Sequence, residues 1–293
     1  MSKAPKFERV AIFGVGLIGG SFAMELKRFN LASHIVGVGR GQENLETAMK
    51  LGIVDSITTD PLEAVKDADL IFLAVPVNSM GALVEKFRGE LKIGAIITDG
   101  GSVKEKLIDE VSTFIPEGVH FVPGHPIAGT EHSGAEAAFI GLYKDKKCIL
   151  TPTDNTDKEA VETVKALWEA MGSTVIFMEP KRHDIVFGAV SHLPHVIAYA
   201  LVNSVSSLEK EKFDVMGFGA GGFKSTTRIA SSSPEMWSDI CTMNKDAVLR
   251  CIDVFQKVLL RIKDDITEGD NQSLVEEFDR AKKSRDSFIK ADE

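Results

Sequence analysis

Of the seven histidines in this 293-residue chain, one stands where a proton could be moved to purpose. His125, in Gly124-His125-Pro126-Ile-Ala-Gly129-Thr130-Glu131, follows the apolar run His120–Val122, and its flanking glycine and proline constrain the backbone. An imidazole with an ordinary pKa near 6.5 suits a general base that removes a hydroxyl proton while hydride leaves the same carbon; the plainer reading is a structural loop histidine. His34, His120, His132 and His183 have no comparable setting. Ser102, in Thr98-Asp-Gly-Gly-Ser102-Val-Lys104, follows another apolar run. It either offers a hydroxyl to the same site or, with Glu105, forms a capping box for the next helix. His192 and His195 in Ser191-His-Leu-Pro-His195 are three residues apart and share one helix face. No Asp, Glu or Cys completes a ligand set, so a metal pair is disfavoured, leaving polar groups that reach a cleft or buried core histidines. Arg228, just after a glycine-rich segment, could hold a carboxylate through two parallel hydrogen bonds or serve as a structural partner of Asp184 or Asp239.

A second constellation binds rather than reacts. Arg9-Val-Ala-Ile-Phe-Gly14-Val-Gly16-Leu17-Ile18-Gly19-Gly-Ser21 is an apolar strand that runs through GxGxxG into a helix. The first glycine permits a tight turn, the second lets the backbone approach a pyrophosphate, and the third lets helix and strand pack closely, with free helix N–H groups meeting the negative charge. About 20 residues on, where NAD-binding proteins usually carry an acid for the ribose hydroxyls, stands Gly39-Arg40-Gly41. A guanidinium there leans the cofactor from NAD towards NADP, whose 2′-phosphate it would bind, unless Arg40 points to solvent or stacks on adenine. Val75 and Pro76, ending a further strand, are expected beside the cofactor.

These groups need a scaffold that gathers strand ends. The first half alternates short apolar runs, Arg9–Val15, His34–Gly39, Asp69–Val75, Ala95–Asp99 and His120–Val122, with amphipathic stretches, the pattern of parallel strands joined by crossover helices. Weaker strands are read near Ile57, Cys148–Thr151 and Thr174–Met178. After about Glu179 apolar residues recur at helical spacing, as in Val186, Val190, Leu193, Ile197, Leu201 and Val205. The expected architecture is α/β: a Rossmann-type doubly wound parallel sheet over residues 1–179, then an all-α part over 180–293 for substrate binding and dimerisation. One shaped loop, Gly217–Phe223, is expected, since its glycines allow positive φ and close backbone approach.

The net charge of -9, from 34 Lys plus Arg and 43 Asp plus Glu, disfavours nucleic acid. Three cysteines without a CxxC pair fit reduced thiols and a cytoplasmic location. The reading also expects no uncharged stretch of membrane-spanning length, hence no membrane partner.

Five segments in order, GxGLIGGS, TDxGSVK, GHPIAGTExSG, SHLPH and GGFxxxTRIAxSxPxMW, cover nearly the whole chain and together resemble the prephenate and arogenate dehydrogenase family. The resemblance implies oxidative decarboxylation of prephenate to 4-hydroxyphenylpyruvate, or of arogenate to tyrosine, with hydride passing to NAD(P)+. By motif, His125 would accept the hydroxyl proton, Ser102 would orient that histidine or the hydroxyl, and Arg228 would hold a carboxylate. Thr130, Glu131, His195 and Gly221 would line the substrate site, and Asp184 would support it. The family also implies a homodimer. Gly39 and Ser225 depart from acids that relatives carry, and the length implies no added regulatory domain. The alternatives are another Rossmann-plus-helical dehydrogenase, of β-hydroxyacid or imine type, in which Lys replaces His, and a non-catalytic NADP-binding sensor.

Overall fold

The computed structural model describes residues 4–209 and 215–292. Strands and helices alternate as β1 (Phe7–Phe13), α1 (Leu17–Arg28), β2 (Ala32–Val38), α2 (Gln42–Lys50), β3 (Ser56–Thr58), α3 (Pro61–Val65), β4 (Leu70–Leu73), α4 (Met80–Phe87), β5 (Ile96–Asp99), α5 (Glu105–Ser112) and β6 (His120–Val122). The strands form one sheet in the order β3-β2-β1-β4-β5-β6, and every pairing is parallel. The order reverses between β1 and β4, so the carboxyl ends of β1, β2 and β4 open onto a crevice, the place where such sheets bind ligands. One apolar cluster packs each face. Phe22, Phe72 and Trp168 stack in the first, with Phe22 and Phe72 centroids 4.1 Å apart; Phe13, Phe87 and Val84 sit in the second.

The sheet does not continue past β6. The chain turns at Pro123 into β7 (Gly124–Pro126), which pairs antiparallel with β8 (Lys147–Leu150); after α6 (Lys158–Ala170), β9 (Thr174–Phe177) pairs parallel with β8. His125 therefore lies on a strand of a separate three-stranded sheet, not in a loop. Three residues are too few to show alternation, so the sequence carried no strand signal there. Helix α3 was also missed, though Asp60 caps it and Pro61 starts it.

The remainder of the described chain is helical: α7 (Pro180–Phe187), α8 (Leu193–Glu209), α9 (Gly221–Thr227), α10 (Pro234–Met243), α11 (Lys245–Glu268) and α12 (Asn271–Asp292). Between α7 and α8 the turn Gly188–His192 widens to π geometry, closed by Leu193 N–H donating to Gly188. Pro194 explains it: the ring cannot donate and would strike the carbonyl four residues back in a regular helix. The glycine-rich segment is shorter than expected. Gly221 and Gly222 form the first turn of α9, and none of its glycines takes positive φ. The structure divides into two compact units, Met1–Lys245 and Asp246–Glu293, so α7–α10 share a unit with the two sheets.

The expectation about uncharged stretches fails. Ile185–Leu208 has no Asp, Glu, Lys or Arg, and the run Pro180–Leu208 is long and apolar enough by composition to cross a bilayer. Within this run Asp184 and His192 are buried and hydrogen-bonded and Ala198 is buried, while most of the other side chains are half-buried or exposed.

A Cβ on Gly19 would lie 2.1 Å from the carbonyl oxygen of Gly14, which is backbone and cannot swing aside. Gly19→Ala should lower the urea unfolding free energy by about 1–3 kcal/mol, the usual range for forced overpacking; an unchanged midpoint would refute this account of the turn.

Candidate active site

The crevice at the strand reversal is a cleft of about 820 Å³. Gly14, Gly16, Arg40, Val75 and Pro76 line it, as expected, together with Gly39, Asn44, Lys86 and Gly134. Leu17, Ile18 and Gly19 do not line it. They lie under the turn, where the Ile18 carbonyl accepts from the Tyr143 hydroxyl at 2.6 Å. The fit to a dinucleotide is steric and electrostatic. Gly14 has φ +88, and a Cβ there would lie 2.3 Å from the Ala74 carbonyl oxygen, whereas a Cβ on Gly16 would meet nothing nearer than 3.8 Å. The backbone at Gly16 is thus open to a ligand, and α1 starts there with no side chain capping its N–H groups. Asn44 ties the turn to the loop after His125: its Nδ2 donates to Val15 O, and its Oδ1 accepts from Ala135 N, both at 2.8 Å.

His125 is placed from beneath by a buried ion pair that sequence reasoning did not find. Lys104 and Asp99 are fully buried and bonded to each other. Lys104 Nζ also donates to the Gly124 carbonyl at 2.7 Å, and Gly124 N–H donates to Asp99 Oδ1 at 3.1 Å. Both backbone groups of the residue before His125 are therefore held by the pair. The ring is half-buried, with Nδ1 2.8 Å from His183 Nε2 and the ring of Phe187 at 4.8 Å. Burial, then the nearby His183 and Lys104, holds its pKa well below 6.5, so the ring is neutral at pH 7.

His183, dismissed on sequence, is fully buried and passes the contact on: its Nδ1 lies 2.8 Å from Asp184 Oδ1. Asp184 also accepts from Lys104 N–H at 2.8 Å and Glu105 N–H at 2.9 Å. The capping box is thereby corrected. Helix α5 begins with no side-chain cap from its own segment, because a carboxylate 79 residues later in sequence takes its first N–H groups. The Ser102 hydroxyl, freed from that duty, forms no hydrogen bond to His125; the contact that fixes the His125 ring is the one with His183.

A second chain of contacts runs onward from Asp184. Asn244 Nδ2 donates to the Asp184 carbonyl at 2.8 Å and faces His192 Nδ1 at 3.1 Å. His192, beside the Ser102 main chain, and His195 flank Trp237, at centroid distances of 6.0 and 3.6 Å. They share a face, as their spacing implied. His195 Nδ1 donates to Ser191 O at 2.9 Å; burial, offset in part by that carbonyl, lowers its pKa, with the Arg228 charge adding to the fall. Arg228 pairs with Glu131 at 2.8 Å through Nη1. This corrects the structural alternative: its partner is neither Asp184 nor Asp239, which instead lies 3.4 Å from Asn78 Nδ2. Glu131 sits below its ordinary pKa owing to its own backbone N–H and then Arg228. Thr130 and Gly221 are exposed, and no contact joins either to this array. Local sequence held no signal for His183 or Asn244, whose partners His125 and His192 come from distant segments; Lys104, five residues from Asp99, and Trp237 stood in recognised motifs without a role.

Two family models match the chain in succession, dividing it earlier than the compact units do. The nucleotide-binding domain of prephenate dehydrogenase matches residues 22–177, and the dimerization domain of prephenate dehydrogenase matches residues 179–280. The chain is 37% identical to a cyclohexadienyl dehydrogenase of Zymomonas mobilis, covering 95% of each chain. It is 36% identical to a prephenate dehydrogenase of Bacillus subtilis, over 96% of this chain and 76% of the relative. The structure is similar to prephenate dehydrogenase from A. aeolicus in complex with hydroxyphenyl propionate and NAD+, with TM-score 0.91 and 40% identity over 98% of this chain and 100% of that one.

Burial pushes His192 down to about 4, and lowers His125 and His183 in the same direction. The unfolded chain then binds more protons than the folded one below the ordinary value of 6.5. The stability these neutral rings contribute is complete above that pH and is lost as pH falls towards 4. Urea titrations should give a fall on the order of 2–3 kcal/mol between pH 7.5 and 4.5, part of it absent in His192→Gln; a flat profile would contradict the buried neutral assignment.

Proposed function

The chain belongs to the prephenate dehydrogenase family, and on that premise we propose how its residues divide the oxidative decarboxylation of prephenate in tyrosine biosynthesis. It is an NAD(P)-dependent oxidoreductase, and the full-length matches do not favour the hydroxyacid or sensor alternatives. One observation carries the assignment of the base: His125 is neutral, anchored through Nδ1, and its Nε2 has no partner among the described residues. Nε2 takes the proton of the ring hydroxyl. A nicotinamide held at the glycine turn would supply the hydride acceptor for the same carbon. The electron pair of the bond to the departing carbon dioxide then flows into the ring, and His125 returns its proton to the phenolic oxygen. Aromatisation supplies driving force, so the protein's task is alignment and charge placement in a water-poor cleft. Ser102 offers its hydroxyl to the substrate. Arg228 binds a carboxylate with the donors its Glu131 contact leaves over, and His195, Thr130, Glu131 and Gly221 line the substrate side.

For the cofactor, Gly14, Gly16, Val75 and Pro76 hold the dinucleotide, with Leu17, Ile18 and Gly19 shaping the turn beneath it, and the preference is NADP. Arg40 lines the cleft with Lys86, and a Cβ on Gly39 would meet Leu45 no closer than 3.4 Å. Packing therefore does not demand glycine, and what is missing there is a carboxylate. The A. aeolicus relative binds NAD+, which makes this a direct comparison. The functional division falls at Glu179–Pro180, supported by the meeting of the two family models there. The active form is a cytoplasmic homodimer, supported by the dimerization-domain match and by exposed apolar side chains within it, Ile185, Val190, Leu259, Val275 and Phe278.

His125→Asn should keep cofactor affinity and lose at least about 100-fold in kcat with prephenate, the usual scale for a lost general base; retained turnover would remove His125 from that role. Arg40→Ser should lower the ratio of kcat/KM for NADP+ over NAD+ by about tenfold or more, since charge-assisted bonds to the 2′-phosphate are lost. A native enzyme that already prefers NAD+ would reject the NADP reading.

A further inference from the structure

The geometry points to His183 as a positioning residue that, with Asp184, locks His125 in the tautomer carrying its proton on Nδ1, so that Nε2 is always the basic nitrogen. This deepens the assignment of His125 as base and rests on it.

Hydrogen-bond directions along a chain of short contacts follow from the backbone, whose N–H groups can only donate. Lys104 N–H and Glu105 N–H can only donate, and both point at the Asp184 carboxylate, at 2.8 Å on Oδ1 and 2.9 Å on Oδ2. That group is an acceptor, so the contact of His183 Nδ1 with Oδ1 at 2.8 Å has the ring nitrogen as donor. A neutral imidazole carries one ring proton. His183 is fully buried, and burial lowers its pKa despite the carboxylate beside it, so its Nε2 is left with a lone pair. The 2.8 Å contact between His183 Nε2 and His125 Nδ1 then has one solution, with His125 donating. The proton of His125 is on Nδ1, and Nε2 is bare.

The arrangement is a base oriented by a second group that is itself oriented by a third. Here the middle member is an imidazole rather than a direct carboxylate. Phe187 packs on both rings, at 4.8 Å from His125 and 4.5 Å from His183, which restrains the rotations that would break the chain. When Nε2 takes the substrate proton, the imidazolium keeps its Nδ1–H on His183, whose far side faces the carboxylate. The developing positive charge is thereby met by an acceptor polarised towards it, without a buried acid touching the base. Nδ1 protonation in free imidazole is the minor form, so the protein is supplying a preference that the side chain lacks.

The test is a long-range 1H–15N correlation spectrum of histidine-labelled full-length protein at pH 7.5 without ligands, with the His125 signals identified by their absence from His125→Asn. The two tautomers give opposite patterns at the two nitrogens. The expected result is His125 as the Nδ1–H form in the native protein and in His183→Gln, whose side-chain carbonyl offers an acceptor at the same reach, and a mixed population in His183→Phe. His183→Phe should lose about 10- to 100-fold in kcat with KM for prephenate little changed, and His183→Gln should recover most of that. An Nε2–H or mixed tautomer in the native protein overturns the proposal without any variant having to fold, and so does a His183→Phe protein that keeps either the tautomer or kcat. A native Nδ1–H tautomer with an active His125→Asn would instead remove the base assignment while leaving the lock in place.

Discussion

The Asp184 carboxylate, at the start of the helical part, accepts three hydrogen bonds, two of them from a segment about 80 residues earlier in the chain. Two come from the first N–H groups of α5, at the edge of the parallel sheet, and one from the ring of His183. A helix N-terminus buried without acceptors is costly, and a carboxylate placed there gains from both the hydrogen bonds and the helix dipole. The same contact that completes α5 therefore fixes α7 against the sheet edge. Through His183 it also fixes the ring of His125. Its backbone carbonyl continues the chain to Asn244 and His192.

A second constraint works from below. The Lys104–Asp99 pair is fully buried, and such pairs stabilise a fold less than they specify it: the Coulombic gain roughly offsets desolvation, whereas removing one partner strands a charge at a cost of about 3–5 kcal/mol. What the pair specifies here is the backbone of Gly124, gripped at both its N–H and its carbonyl. Strand β7 is only three residues long and could not hold its own register. The ion pair at the end of β5 does that work, and His125 follows from it.

The cofactor side needs none of these devices. Its geometry comes from absences: no Cβ at Gly14 and Gly19, where one would overlap backbone, and open space at Gly16. This part of the site was legible in the sequence because GxGxxG encodes a local shape, one strand, one turn and one helix. The position of Arg40 on the cleft wall agrees with the reading made from it. His195 and His192 were likewise legible, since three residues on a helix fix a shared face. The charge-free run Ile185–Leu208 was itself legible in the sequence, against the expectation; only the fold showed that His192 within it is buried and hydrogen-bonded.

The sequence by itself determined the local shapes and the family: the glycine turn, the alternation of strand and helix, and motifs naming His125, Ser102 and Arg228. Only the tertiary structure decided their connections. Asp184 lies 79 residues from Glu105, His183 lies 58 from His125, and Glu131 lies 97 from Arg228. Hydrogen-bond direction and ion pairing between such distant residues depend on how the chain closes on itself, and no spacing along the chain encodes that closure. For this reason Ser102 read as a helix cap, Arg228 was offered the wrong carboxylates, and the histidine bonded to His125 was passed over.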